Sequence, residues 1–288
     1  MVCPMSSPNK TIALVFGCLV LVACGSVPEK KNAISVQATK QSERGAAAFV
    51  QGDYARALNE YGLALRANQA IENAAGIAIA RINLARTWRE LSRYDQAHVQ
   101  LDALFVAPVL AYPVTSLAAA ATLQAQLYLE SDATEAVVHW LERGEALCQR
   151  KCPVAGSLLL LRAQLALRDR HLQEAGKLVD EAVGLLNSER QAIELANALR
   201  LSGEIYFANH DDEKAAAQFE LALALDQKSG LPGKIRLDLL RLAQTAEHAG
   251  KKTDAQNYAA RAQAVNRAIG NAQRVDGPSG DPVQAPAR

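Results

Sequence analysis

Along residues 51–65, QGDYARALNEYGLAL, small and large apolar residues fall at i, i+4 and i+7: Ala57, Tyr61 and Ala64. That spacing predicts one helical face on which a second helix can pack closely. The pattern returns down the chain. Ala57, Ala97, Ala136, Ala175, Ala215 and Ala255 follow one another at 40, 39, 39, 40 and 40 residues. A period in this range predicts stacked repeats, because one short helical unit cannot bury its own apolar face and must lean on its neighbours. Gly52-Asp53 reads as a turn, and Gly45 lies seven residues upstream in a run of small residues that predicts a preceding helix. The unit is therefore helix, turn, helix, and the predicted fold is an all-α solenoid of about six such repeats.

The fifth copy displays both halves at once in Gly203, Tyr206, Ala215, Phe219 and Ala222. These residues, with Gln51-Gly52-Asp53-Tyr54, Ala57-Leu58, Tyr61 and Ala64-Leu65 in the first copy, resemble the tetratricopeptide repeat (TPR) in a long variant. The six copies then begin at Ala38, Ala78, Leu117, Gly156, Ala196 and Arg236. The match is uneven: Gln124 stands where the family has a small residue, and Leu101, Val179 and Ala259 replace its aromatic. Pro113, Pro153 and Pro232 mark repeat starts, since proline suits a first helical turn where its missing N–H has no partner anyway. The copies are about six residues longer than the family period, and the surplus is expected mainly between the second helix and the next proline.

Half of the chain is hydrophobic but only 5% aromatic, which predicts a core of alanine and leucine. Net charge is +1, and Lys10 is the only charged side chain in residues 1–23, so the remainder is balanced. A nucleic-acid-binding surface would show a basic excess, and no nucleic-acid partner is expected.

Residues 1–23 read as a secretory signal, with Lys10 ahead of the apolar run 12–23. The run ends in Leu21-Val22-Ala23-Cys24, which resembles a bacterial lipobox and implies lipidation at Cys24. Gly25 after the cysteine implies sorting to the outer membrane, facing the periplasm. Residues 24–37 are then a lipidated tether, 38–270 the solenoid, and the Pro- and Gly-rich stretch 271–288 a disordered tail.

The histidines His98, His139, His171, His210 and His248 form no ligand spacing and are expected to be solvated, so no metal or cofactor is called. Gly-rich phosphate loops and nucleophile elbows are absent from the sequence, so no catalytic residue is assigned. His210-Asp211-Asp212-Glu213 reads as a capped turn. With Cys3 and Cys18 in the signal and Cys24 lipidated, Cys148 and Cys152 remain, and an oxidising periplasm predicts a local disulfide between them.

The resemblance implies a groove lined by the first helix of each repeat. The positions it would use hold Phe49, Tyr128 and Phe207 as aromatic anchors, Arg86, Arg89 and Arg200 as cations, and Asn83. Ser42, Ala46, Ala118 and Thr122 occupy the places where the family's terminal-carboxylate clamp has basic side chains, so that mode is not expected. The functional expectation is a non-enzymatic lipoprotein scaffold that binds protein partners in the cell envelope, in envelope or secretion-system assembly. The alternative is a peptidoglycan-processing or carbohydrate-active enzyme, which would need two carboxylates converging in a cleft.

Overall fold

The computed structural model describes residues 32–106, 110–149, 152–186 and 191–275. Among them the chain is helical throughout, with twelve α-helices and no strand. They pair as α1 (Ala33–Val50) with α2 (Tyr54–Ala70), α3 (Ala74–Glu90) with α4 (Tyr94–Asp102), and α5 (Val114–Glu130) with α6 (Thr134–Cys148). The remaining pairs are α7 (Ala155–Arg168) with α8 (Leu172–Leu185), α9 (Ala192–Ala208) with α10 (Asp212–Lys228), and α11 (Pro232–His248) with α12 (Lys252–Val275). Each helix packs against its pair partner, and successive first helices also touch. This is an all-α helical solenoid of six helix-turn-helix repeats. The lipobox, Cys24 and the signal lie outside the described residues, as do 276–288.

One turn joins the two helices of every repeat. Gly52, Ser92, Asp132, Arg170, His210 and Gly250 each adopt a left-handed backbone, with φ between 56° and 79°. In each case the next residue donates its N–H back to the carbonyl five residues earlier, as Asp53 does to Ala48 at 2.9 Å and His171 to Ala166 at 2.8 Å. That is the Schellman ending, which satisfies carbonyls that a helix C-terminus would otherwise leave bare. Left-handed backbone crowds a Cβ against the following carbonyl, so the four non-glycine residues hold it at a cost. Ser92→Gly is therefore expected to raise stability by about 0.5–1 kcal/mol, a gain reduced by glycine's freedom in the unfolded chain. Urea denaturation checks it, with Ser92→Ala as the control that should gain nothing.

Close packing between partners rests on glycine facing an aromatic ring. A Cβ built on Gly45 would lie 2.7 Å from the Tyr61 ring, and one on Gly203 would lie 2.6 Å from the Phe219 ring. Both rings are buried and the flanking Ala57, Ala64, Ala215 and Ala222 have no exposed surface. In the third repeat Gln124 stands in the place of the glycine. It is fully buried, its amide donates to Asp102 at 2.7 Å, and its carbonyl meets His98 Nδ1. His98 also packs on Tyr128, with ring centroids 4.4 Å apart, so it is not the solvated residue expected from the sequence.

Three expectations about boundaries need correction. Helix α1 begins at Ala33, inside the expected tether, and α12 runs to Val275, inside the expected tail. The surplus residues do not all sit in linkers. In the first and fifth copies the following turn is only three residues, 71–73 and 229–231, and the extra length goes into 17-residue second helices, α2 and α10. A longer helix extends the same packed face, whereas a longer loop would have to be ordered with little to bury.

Pro113 caps α5, Pro232 is the first residue of α11, and Pro153 lies in the turn just before α7. The sulfurs of Cys148 and Cys152 are bonded, with Cα atoms 5.0 Å apart. Gln149, left-handed at φ 47°, ends α6 and redirects the chain at this point.

Candidate groove and recess

The first helices carry the residues singled out from sequence, and α3 gathers three of them. Asn83 is half-buried, Arg86 is exposed, and Arg89 is half-buried and paired with Glu130 of α5 at 2.9 Å. Protein surrounding Arg86 pulls its guanidinium below its ordinary range, while the carboxylate of Glu194, at the start of α9, acts in the opposite sense. Lys234, in the first turn of α11, is likewise held below the ordinary lysine range, first by burial and then by the charges of Arg200 and Arg89, with Glu90 opposing. Charges on α3 thus act on Lys234 of α11, and Glu194 of α9 acts on Arg86 of α3. No sequence pattern marked Lys234, Glu90 or Glu194; each acts on a charge of a distant repeat only once the repeats stack.

Arg200 does not line the groove. It is 5% exposed, and its guanidinium lies between two carboxylates that are equally buried, Asp226 of α10 and Asp238 of α11. Nε meets Asp238 at 2.5 Å, and Nη1 donates to Asn197 at 2.8 Å. The expected groove cation is a structural tie between the fifth and sixth repeats. Its position on the helix was legible, but the two aspartates that claim it were not. Burial, assisted by the Asp238 carboxylate, pushes the Asp226 carboxyl up to about 6 against the pull of Arg200.

Each of the three aromatics is half-buried. Phe49 packs edge-on to Tyr54 at 5.6 Å and against the core around Ala48 and Tyr61. Tyr128 packs on His98 and on the core around Leu141 and Trp140. Phe207 rests on the core around Phe219 and edge-on to His248 at 5.3 Å, and its outer side lines a recess of about 370 Å³.

That recess is walled by three successive first helices, α7, α9 and α11. Leu167 and Phe207 supply an apolar floor, and Arg168, Arg170 and Arg241 stand around it with Glu204. Arg241 pairs with Glu204 at 2.9 Å, and its Nε is buried without a hydrogen-bond partner. Arg168 reaches Asp132 of the preceding repeat at 3.1 Å. Beside it, Asp211 caps α10 by accepting from the Lys214 N–H, and Asp212 pairs with His248. The turn His210–Glu213 is capped, and it also touches the sixth repeat through His248.

Among the described residues no helix is long and apolar enough to cross a membrane. No protein-family model matches the chain, and no curated protein sequence matches it either. Solved structures do. BtubC (BKLC) from P. vanneervenii is similar over 89% of this chain and 98% of its own, at 17% identity and a TM-score of 0.53. The signal-transduction ATPase PH0952 from Pyrococcus horikoshii, a STAND protein with a tetratricopeptide repeat sensor, is similar over 82% of this chain at 14% identity and a TM-score of 0.59. This chain corresponds to 35% of that protein's length. What these likenesses share with the twelve-helix array described above is the fold, a solenoid of the TPR type.

Proposed function

We propose that the protein is a scaffold that captures a segment of a protein partner on the inner face of its repeats, with no catalysis of its own. The observation that carries this reading is the open recess walled by α7, α9 and α11, with Phe207 presenting one side of its ring to it. A half-exposed aromatic ringed by arginines is the kind of anchor on which protein recognition concentrates. Asn83, Arg86 and Arg89 extend the surface onto α3, where they can orient backbone or acidic groups. Among the described residues Asp226 and Asp238 converge, but they are 1% and 0% exposed and bound to Arg200, so substrate has no access to this pair.

A photo-crosslinking residue at Asn83 or Gln244, compared with one at the exposed Val99 on α4, tests the reading in cells. Inner-face positions should trap a discrete partner that Val99 does not, and Phe207→Leu should weaken the product while leaving the core filled. Equal products from all three positions would remove the groove.

In the same proposal the protein is an outer-membrane lipoprotein facing the periplasm, serving envelope or secretion-system assembly. Support comes from Leu21-Val22-Ala23-Cys24 in the sequence and from the bonded Cys148–Cys152 pair, which suits an oxidising compartment. Cys24→Ser is expected to leave an unprocessed precursor or release soluble protein, read by fractionation and mass. Processing and membrane partitioning unchanged from wild type would refute the anchor.

A further inference from the structure

We infer that the recess between α7, α9 and α11 selects an acidic side chain of an extended partner segment, seated beside an apolar residue that packs on Leu167 and Phe207. This rests on the groove reading above and names the chemistry the groove prefers. Three arginines line the recess against a single carboxylate, Glu204. Arg241 pairs with Glu204 and donates to Gln244 Oε1, yet its side chain stays 40% exposed, so its guanidinium can also be met by an incoming carboxylate. Arg168 donates to Thr134 Oγ1 and to Asp132, whose side chain is 89% exposed, so its ion pair is solvated and open to exchange for a partner's carboxylate.

Arg170 makes the strongest case. It occupies the left-handed position of the repeat's turn, at φ 64°, where two other copies use glycine. Among the described residues it makes no ion pair. A bulky cation kept at a strained position, without an internal partner and on the wall of an open recess, costs stability and leaves a charge for something outside the chain. The recess volume of about 370 Å³ suits one or two side chains rather than a folded domain. Guanidinium groups recognise carboxylates through paired, charge-assisted hydrogen bonds, and the apolar floor adds burial that an isolated acid would lack.

The test is selection of random dodecapeptides, displayed with their C-termini fused so that no free terminal carboxylate is offered, on the wild-type protein. Selected sequences are then synthesised with amidated C-termini and titrated against wild type, Arg170→Gly, Arg168→Gln and Phe207→Leu. Peptides enriched in Asp or Glu next to an apolar residue are expected. Their Asn or Gln versions should bind about tenfold more weakly or worse, and Arg170→Gly should give a similar loss while making the protein more stable, so that unfolding is not the cause. Selected peptides that need Phe207 yet lack acidic residues, or that ignore both arginine variants, would overturn this inference and leave the groove reading standing. Failure to select any peptide would overturn both.

Discussion

Replacing Arg200 by methionine is expected to cost about 3–5 kcal/mol, because it leaves two buried carboxylates with no cation between them. Arg200, Asp226 and Asp238 are 5%, 1% and 0% exposed and tie α9, α10 and α11 together. Removing the cation removes both ion pairs while the desolvation of Asp226 and Asp238 remains. Replacing the three together by Met, Leu and Leu should recover most of the loss, since an apolar set of similar volume has no charge to desolvate. Urea denaturation near neutral pH measures both variants, and a loss under about 1 kcal/mol for Arg200→Met would show that water reaches the network.

The same site predicts a pH dependence. The Asp226 carboxyl is raised to about 6 in the folded protein, above its unfolded value near 4. Between those values the folded state holds a proton that the unfolded state has lost. The contribution of Asp226 to stability therefore declines as pH rises across this window and is level above it. Asp226→Asn carries no such proton, so it should gain on wild type from about pH 4 to about pH 6. A constant difference between the two proteins across that range would contradict the assignment.

The second large effect is expected at the Gly203–Phe219 contact. Phe219 is 1% exposed, and Phe219→Ala should cost about 3–5 kcal/mol through lost burial and the cavity left behind. Gly203→Ala should also destabilise, by about 1–3 kcal/mol, although alanine is the better helix former. The added methyl would meet ring carbons at 2.6 to 2.9 Å, closer than any real contact, and the ring is walled in by the core around Leu239 and Leu242. With Phe219 cut back to alanine the obstruction disappears. On that background Gly203→Ala should become stabilising, by up to about 1 kcal/mol, as helix propensity alone decides. Thermal or urea unfolding of the four proteins in the cycle measures the coupling, and additive effects would mean that the glycine has no steric role.

The repeat, its helical class and its two-helix unit were legible in the sequence because each depends on local spacing. Alanines 39 or 40 residues apart mark where helices approach, Gly45 and Gly203 mark where a ring must fit, and Gly52 and Gly250 mark a turn that needs positive φ. His210 was legible as part of a turn, whereas the same turn at Ser92, Asp132 and Arg170 was harder to see, because its residue types are not those the backbone prefers; packing on both sides holds them there. The apportioning of extra length between helices and loops was also invisible, since lengthened helices and lengthened loops have the same period.

Which side chains face the groove is a property of neighbours. Arg86 and Arg200 lie on equivalent first helices, yet Arg86 reaches the open inner face while Arg200 is captured by aspartates 26 and 38 residues away. Glu90 acts on Lys234 and Glu194 on Arg86 only through the stacking of repeats distant in sequence, and Arg168, Arg170 and Arg241 surround one recess only because three repeats stack in register. Periodicity along the chain specifies the face a residue occupies on its own helix. The partner that covers that face is chosen by the crossing of helices far apart in sequence, and a charge becomes buried, paired or free only at that stage.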